Sequence, residues 1–348
     1  MVHKTARSRT AGRCYSGSRV FSAHAGPRST WGRGGCGASH SASVARSHVS
    51  LGQRTSQLSP ESPAPPSPGG SPESPALDHS ALERWLAEAE LGEPVEVVVV
   101  PTTGSTNEDL LVHCRHRGPA SVMLRATDEQ TAGRGRQRRA WVARRRSALL
   151  FSLAVPLRSL PAALPAVTLA CGAGLADHFI AHGASVRVKW PNDLLLSGRK
   201  LAGVLCELAV DPDGGATLVI GVGVNGWLND DDRTRIGQPA AALSEAVSSA
   251  LLASQRESWI AALAAVVLRT ARRFTAEGFL PWRSRFNELL EARGELVDVV
   301  DDGQVVASGR IVEVDTIGRL MLATASGQRA ISVGDVSVRL APTDRTAP

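Results

Sequence analysis

Recurring apolar runs between residues 96 and 225 constrain the fold of this chain more than any other sequence feature. Each run is bounded by polar, glycine or proline residues and has the length of a β-strand. Helical apolar spacing at 80–91, 164–182 and 243–276 predicts helices around them. The predicted strands are 96–100, 121–126, 148–155, 185–190, 193–210 and 216–225, and 193–210 is a hairpin that turns at Ser197-Gly198. This succession predicts a mixed α/β domain.

From Glu295 to Leu340 the pattern changes to short strands. The dipeptides Asp302-Gly303, Ile317-Gly318 and Ser326-Gly327 are typical of tight turns between such strands. We therefore expect a small all-β barrel after the α/β domain.

Residues 1–77 are rich in Ser, Gly, Arg and Pro, and such a segment buries too little apolar surface to offset its ordering entropy. It is predicted to be disordered. It carries nine Lys/Arg and two acids (+7), whereas residues 78–348 carry 30 basic and 31 acidic side chains (−1). The net charge of +6 therefore belongs to the tail and is a weak argument for nucleic-acid binding by the folded part.

Cysteine use favours a reducing cytoplasm. The five cysteines are odd in number, and no pair has metal-ligand spacing. The basic, acid-poor N-terminus overlaps with transit-peptide composition but has no apolar segment typical of a secretory signal. No stretch is expected to reach the roughly 18 apolar residues of a membrane span.

A polar segment, GSTNEDL, covers residues 104–110. Ser105, Thr106 and Asn107 are predicted at a strand-to-helix junction, where free N–H groups and short polar side chains can bind a small ligand. Ser105 with Glu108 also matches a capping box, so simple helix capping is the better explanation of the segment when it is taken alone.

A basic loop follows in EQTAGRGRQRRAWVARRR, residues 129–146. Gly133 and Gly135 alternate with Arg134 and Arg136, which lets backbone and guanidinium groups approach an anion. Trp141 could anchor the loop by packing. An RG-rich nucleic-acid segment is the alternative, but the position between two predicted core strands favours a ligand loop.

Two further segments carry polar residues beside apolar strands. In VKWPNDLLLSGRKLAGVLCEL (188–208), a Trp-Pro-Asn-Asp turn lies between Lys189 and Lys200. Lys200 could stabilise charge on a carboxylate or phosphate, although turn lysines are usually only solvated. In VIGVGVNG (219–226), Gly221 and Gly223 predict close approach of a ligand or another backbone, or a bulge.

In this order, the four segments resemble the catalytic domain of biotin protein ligases over about 95–285, and residues 290–341 resemble the family's C-terminal SH3-like domain. The resemblance implies an α+β fold in which a central mixed sheet is flanked by helices, as in class II aminoacyl-tRNA synthetases. The expected division is a tail at 1–77, a catalytic domain at 78–288 and an SH3-like domain at 289–341.

The implied reaction has two steps. Biotin and ATP, with Mg²⁺, give biotinyl-5'-AMP, and biotin then passes to a lysine of a biotin carboxyl carrier domain of an acyl-CoA carboxylase. The resemblance implies that Lys200 and Arg136 are catalytic; metal ligands are left unassigned. The implied biotin-binding residues are Ser105, Thr106, Asn107, Gln130, Arg134, Gly135, Arg136 and Lys200. The implied nucleotide-binding residues are Arg134, Arg136, Arg139, Asn192, Asp193 and Asn225.

One residue departs from the family pattern. Arg138 stands where the family loop usually has Gly, and because arginine rarely adopts a positive φ, the turn is expected to differ. Residues 1–77 show no helix-turn-helix pattern, so a monofunctional enzyme without operator DNA binding, with no membrane association, is expected. Homodimerisation is left open.

Three alternatives remain from the sequence. A lipoate or octanoate ligase shares the implied fold. A biotin-sensing or nucleic-acid-binding protein could act without catalysis, the latter through the basic tail. An inactive homologue could result from Arg138.

Overall fold

The computed structural model describes residues 74–333 and 336–341. In this part of the chain the helices are α1 His79–Glu88, α2 Thr106–His116, α3 Val167–Ala181, α4 Asp230–Ile236, α5 Ser249–Ser254, α6 Arg256–Glu277 and α7 Leu280–Leu289. The strands before α4 are β1 Val95–Val100, β2 Val122–Thr127, β3 Ala148–Leu157, β4 Val186–Lys189, β5 Asp193–Leu196, β6 Arg199–Val210 and β7 Ala216–Asn225. The later strands are β8 Leu296–Asp301, β9 Gln304–Val314, β10 Leu320–Thr324, β11 Gly327–Ile331 and β12 Val336–Leu340.

A seven-stranded sheet of order β1-β2-β3-β7-β6-β5-β4 forms the centre of the first domain. Strands β1 and β2 are parallel, while every other neighbouring pair is antiparallel. The predicted mixed sheet is therefore confirmed.

Alternating residues of the central strands bury the two faces of this sheet against different helices. On β3, Leu149, Phe151 and Leu153 join the large core that also contains α3 and α6. Ala154 of β3 and Val219 of β7 instead join a smaller cluster with α2. Helix α2, and the polar segment at its start, thus lie on the opposite face from the main core.

Several predicted elements differ in detail. The 96–100 run, predicted as a buried strand, is the edge strand β1 and is largely half-exposed, because β2 pairs with one side of it only. Helices α4 and α7 were not predicted. Helix α4 is short. Gly278, with a positive φ of 68°, ends α6, and a glycine at this position gives no indication that another helix, α7, follows.

The expectation about membrane-length apolar segments was wrong. Residues Leu164–Ala181 form a helix that is long and apolar enough to cross a bilayer by length and composition. This segment ends in α3, whose side chains are mostly buried within the main core, as in the core helix of a globular domain. Its apolar character therefore comes from packing on both sides.

The predicted tail boundary also lies inside packed structure. Residues 1–73 are outside the described part of the chain, but Ser74–Leu77 precede α1 and are described. Ser74 and Leu77 are buried, and Leu77 belongs to the main core. The packed first domain therefore includes these residues, which the composition of the tail had assigned to disorder.

The later strands form a five-stranded antiparallel sheet of order β11-β10-β9-β8-β12, in agreement with the predicted small β domain. Its turn at Gly318 packs against α3, and the Gly318 carbonyl accepts a buried 3.1 Å hydrogen bond from Nε1 of Trp190. Asn287 of α7 exchanges two hydrogen bonds with the backbone of Val314, at 2.9 and 2.6 Å. The small sheet is thus attached to the first domain through buried polar contacts.

Candidate functional site

A cavity of about 500 Å³ opens between the central sheet, the loop that joins β2 to β3, and strand β12. We call the loop, residues 128–147, the arginine loop. All of the residues to which the sequence assigns a ligand line this cavity: Ser105, Thr106, Asn107, Gln130, Arg134, Gly135, Arg136, Arg139, Asn192, Asp193, Lys200 and Asn225. The structure therefore brings together four segments that are far apart in the chain. Which of these residues touch a ligand stays a prediction.

One end of the cavity is built around the start of α2 and presents amide and hydroxyl groups. Gln130 Oε1 accepts hydrogen bonds from the backbone N–H of Thr106 at 2.8 Å and from its hydroxyl at 3.0 Å. Ser152, on the buried strand β3, lies 2.7 Å from the Thr106 hydroxyl and donates to Asn107 Oδ1 at 2.7 Å. These bonds hold Thr106, Asn107 and Gln130 in fixed orientations, which is the preorganisation that recognition of a small polar group requires.

A charged network continues from Asn107. Its Nδ2 donates to Glu207 at 2.9 Å, and Glu207 lies 3.9 Å from Arg134, which also pairs with Glu108. The capping box is therefore only half formed. Ser105 Oγ accepts from the Glu108 N–H at 3.4 Å, but the Glu108 carboxylate turns to Arg134. Glu108, the third residue of α2, thus holds the arginine loop through its ion pair with Arg134.

The arginine loop folds back on itself as a narrow turn. The Gly135 N–H donates to the Arg139 carbonyl at 2.7 Å, and the Trp141 N–H donates to the Gly133 carbonyl at 2.9 Å. Gln137 and Arg138 occupy the turn with φ values of 54° and 55°. The expectation that Arg138 would avoid a positive φ was wrong: it adopts the left-handed conformation that glycine favours, with its side chain exposed.

Trp141 lies against the central sheet. A Cβ atom added to Gly223 would be 2.7 Å from Cε2 and 2.8 Å from Cζ2 of Trp141, so the indole needs this glycine. A Cβ on Gly221 would be 2.3 Å from Asn107 Oδ1. The predicted close approach to β7 is thus real, but side chains from two of the other segments make it, not a backbone.

The Trp-Pro-Asn-Asp turn supplies the next polar groups. Lys200 Nζ lies 2.8 Å from Asp193 Oδ1 and 5.6 Å from the centre of the Trp141 ring. Arg136 Nη1 donates to Asn192 Oδ1 at 3.4 Å, which links the arginine loop to this turn. Asn225 donates from Nδ2 to the carbonyls of Lys200 and Ala241, both at 3.1 Å, so its amide group fixes the backbone beside Lys200.

The far end of the cavity is strongly basic. Burial lowers the pKa of Lys189, and repulsion from Lys200, Arg139 and Arg339 lowers it further, while Asp193 opposes the shift. Asp193 is the acidic residue of the lining within the described part of the chain. Such a set of cations favours a bound anion, which would relieve their mutual repulsion.

Sequence reasoning missed two of these cations as site residues. Lys189 was noted only as a flank of the turn, although its place at the end of a strand beside Asp193 was a usable signal. Arg339 lies on β12 of the small sheet, and its neighbour Ser337 accepts a 3.4 Å hydrogen bond from Arg139. Nothing in the strand pattern indicates that β12 reaches this cavity.

The chain matches two family models. The Biotin/lipoate A/B protein ligase family covers residues 99–225, and the Biotin protein ligase C terminal domain covers residues 294–339. Over 249 residues the chain is 32% identical to the Bifunctional ligase/repressor BirA of Salmonella typhimurium, an alignment covering 70% of this chain and 75% of the relative. The chain belongs to the biotin protein ligase family. As a member of this family it is a ligase, and the resemblance predicted from the four segments is confirmed.

Two further comparisons agree with this membership. The Biotin--[acetyl-CoA-carboxylase] ligase of Paracoccus denitrificans is 31% identical over 248 residues, which are 67% of this chain and 97% of the relative. The solved structure of a biotin protein ligase from Aquifex aeolicus in complex with biotin and ATP superimposes with a TM-score of 0.55 at 22% identity, covering 71% of this chain and 99% of that one. At that identity the structural likeness concerns the fold, which confirms the predicted fold class.

Proposed function

We propose that this ligase converts biotin and ATP into biotinyl-5'-AMP and pyrophosphate, and then transfers biotin to a lysine of a biotin carboxyl carrier domain. The observation that carries the proposal is a single cavity with a preorganised end of amide and hydroxyl groups and a basic end. A neutral polar head group suits the first end, and a carboxylate with phosphates suits the second. Family membership and the names of the relatives support this choice of substrates.

Biotin would bind with its ring system at the start of α2. Ser105, Thr106, Asn107 and Gln130 offer amide and hydroxyl groups there, already held by hydrogen bonds to one another and to Ser152. Because these groups are ordered before any ligand arrives, binding costs little further side-chain entropy. The carboxylate of biotin would then extend toward Lys200 and Arg136.

In the first step an oxygen of the biotin carboxylate attacks the α-phosphorus of ATP, and pyrophosphate leaves. Negative charge accumulates between carboxylate and phosphate, and Lys200 and Arg136 would stabilise it as fixed cations. Arg134, Arg139, Asn192, Asp193 and Asn225 would support the nucleotide. Asn225 would act through the backbone of Lys200, where its amide donates.

In the second step the neutral amine of a carrier lysine attacks the acyl carbon of the mixed anhydride. An amide bond forms, the acyl–oxygen bond breaks with AMP as the leaving group, and the proton of the amine passes to solvent. The arginine loop, whose turn is closed by the bond from the Gly135 N–H to the Arg139 carbonyl, would cover the adenylate between the steps and exclude water that would hydrolyse it. Because both reactants are held in one cavity in the right orientation, each bimolecular attack becomes effectively unimolecular, which lowers its barrier.

Magnesium would accompany the nucleotide. Mg²⁺ usually binds one or two carboxylates together with substrate phosphates and water, and Asp193 is the carboxylate that the lining offers. The described residues contain no group of three or more His, Cys, Asp or Glu side chains placed to hold a metal by themselves. The residues present therefore fit a metal that is held mainly by ATP, where it would neutralise phosphate charge.

Family membership also supports proposals for the partner, the location and the domain division. The proposed partner is the carrier domain of an acyl-CoA carboxylase, and the proposed location is the cytoplasm. The proposed division places the catalytic domain at 78–288, extended to the packed residues 74–77, and the SH3-like domain at 289–341. Absence of operator DNA binding stays a prediction, and homodimerisation stays open.

The full-length chain, MgATP and a biotin carboxyl carrier domain would be incubated with biotin, and the intact mass of the carrier recorded. A parallel reaction would contain lipoate. We expect an ATP-dependent mass increase of one biotinyl group on a single lysine. An increase with lipoate alone would replace the proposal by a lipoate ligase, and no increase with either acid would contradict ligation to this class of carrier.

A further inference from the structure

A buried charge cluster lies at the base of the arginine loop, outside the cavity lining. Asp128, the first residue of the loop, is 2% exposed, and Oδ1 of its carboxylate lies 2.9 Å from Nη2 of Arg256, which is 1% exposed. Oδ2 of the same carboxylate lies 3.4 Å from Nε of Arg146, near the other end of the loop. We call Asp128, Arg146 and Arg256 the Asp128 clasp.

The clasp joins the two ends of the arginine loop. Besides the side-chain contact, the backbone N–H of Arg146 donates to the Asp128 carbonyl at 2.8 Å. Arg146 reaches this position with a φ of 62°, a conformation that non-glycine residues adopt only where surrounding contacts determine it. The ends of the loop are therefore held by both backbone and charge, independently of Trp141 further along.

Both arginines of the clasp also hold the segment that enters the domain. Arg146 Nη1 donates to the Ser74 carbonyl at 3.4 Å, and Arg256 Nη1 donates to the Pro75 carbonyl at 2.8 Å. The Leu77 N–H donates to Asp128 Oδ2 at 3.4 Å. Residues 74–77 thus cover the carboxylate and keep water from it, which strengthens the ion pairs beneath.

We infer that the Asp128 clasp is a positioning device that fixes the entry and exit of the arginine loop and so sets how readily the loop closes over the substrate. None of its residues lines the cavity, so its effect reaches the substrate only through the loop. The inference rests on the proposed function for the identity of the substrate, but the fixing of the loop can be measured without any ligand.

Asp128→Asn is the obvious variant, but it would leave the fully buried Arg256 without a counter-charge and could unfold the domain. Arg146→Gln is the informative one, because the Asp128–Arg256 pair and the backbone bond remain while the charged contact at the end of the loop is lost. Arg145→Gln is a matched control. It removes the same charge from the neighbouring residue, whose side chain is 50% exposed and lies 4.0 Å from Glu129.

Hydrogen exchange of the amides in the arginine loop would be followed by mass spectrometry in the full-length proteins without ligand. We expect exchange to be faster by about tenfold in Arg146→Gln, the lower range for loss of a charge-assisted bond, and unchanged in Arg145→Gln. In the biotinylation assay, KM for biotin should rise by a similar factor with a smaller change in kcat. Arg146→Lys, which keeps the charge, should recover part of both effects.

The outcomes separate the two proposals. If the wild-type protein fails to biotinylate a carrier, the proposed function is wrong, yet the exchange comparison still tests the clasp. Equal exchange in Arg146→Gln and wild type, or equal acceleration in Arg145→Gln, would overturn the clasp whatever the activity. Faster exchange in Arg146→Gln with an unchanged KM would show that the clasp does not position the loop for substrate.

Discussion

Gly223 and Gly203 offer a sharp test of how Trp141 positions the arginine loop. The two glycines are paired across β6 and β7, and both lie beneath the indole. A Cβ on Gly223 would be 2.7 Å from the ring, whereas one on Gly203 would be 3.4 Å away. Carbon atoms prefer separations of about 3.5–4.0 Å, so Gly223→Ala must displace the indole by roughly 0.8 Å and Gly203→Ala hardly at all.

Overpacking of this kind costs about 1–3 kcal/mol where the neighbour cannot yield. We expect Trp141 to yield by lifting the arginine loop, so the cost should fall on the closed loop and weaken biotin binding by about 5- to 150-fold. The fold should persist, because the loop moves and the sheet does not.

Isothermal titration of each full-length variant with biotin would measure this effect, with thermal unfolding as the check on folding. We expect weaker binding for Gly223→Ala, near wild-type binding for Gly203→Ala, and similar unfolding temperatures for both. Equal affinities for the two variants would refute the role given to Trp141. A large loss of stability in Gly223→Ala alone would show that the clash is absorbed by the sheet instead.

Three further outcomes are expected. Lys200→Ala should lower biotinylation by about 10²–10³-fold while losing less than about 1 kcal/mol of stability, since its partner Asp193 is partly solvated; near wild-type turnover would remove the catalytic assignment. Arg136→Gln should release the adenylate about tenfold faster in a trapping assay, and unchanged release would misplace the loop's role. Burial, with repulsion from His182 and Arg269, lowers the pKa of His178 from 6.5 to about 4. Between pH 6.5 and 4, His178 is therefore protonated in the unfolded chain but not in the folded protein. Stability should therefore fall as pH drops from 6.5 to 4, by no more than about 2 kcal/mol through this partly exposed group, and His178→Gln should reduce the fall in denaturant titrations; equal losses in both proteins would count against it.

The sequence predicted most of the strands because central strands carry long apolar runs with few interruptions. The β5–β6 hairpin followed from Ser197-Gly198, which do adopt positive φ values of 51° and 72°. The edge position of β1 could not be predicted, since the same valine run fits a strand with one neighbour or two. Helix α7 was missed because Gly278 is a strong stop signal, although only two residues separate α7 from α6.

The contacts within the candidate site, and the two cations Lys189 and Arg339 of its lining, were not predicted, and the ligand roles of the predicted residues stay predictions. Local motifs identify which side chains are polar beside a strand, and the structure places all of them on one cavity. The partners of Arg134 could not be read from spacing, because Glu207 lies on β6, far along the chain. The contribution of Arg339 could not be predicted either, since the sequence of its strand, VSVRL, shows only the usual alternation of apolar and polar residues. At Arg138 the preference of arginine for negative φ gave a wrong prediction, because the backbone hydrogen bonds of the turn fix its conformation.

The hydrogen bond from Trp190 to the Gly318 carbonyl makes the small sheet part of the support of the site. Trp190 begins the turn whose next polar residues, Asn192 and Asp193, reach the cavity, so the small sheet holds one wall of the site from behind. Strand β12 closes the same cavity from the front through Ser337 and Arg339. A chain cut after α7 would therefore keep every predicted motif and still have an incomplete site. The unit that evolution can shuffle or an engineer can graft is both domains together.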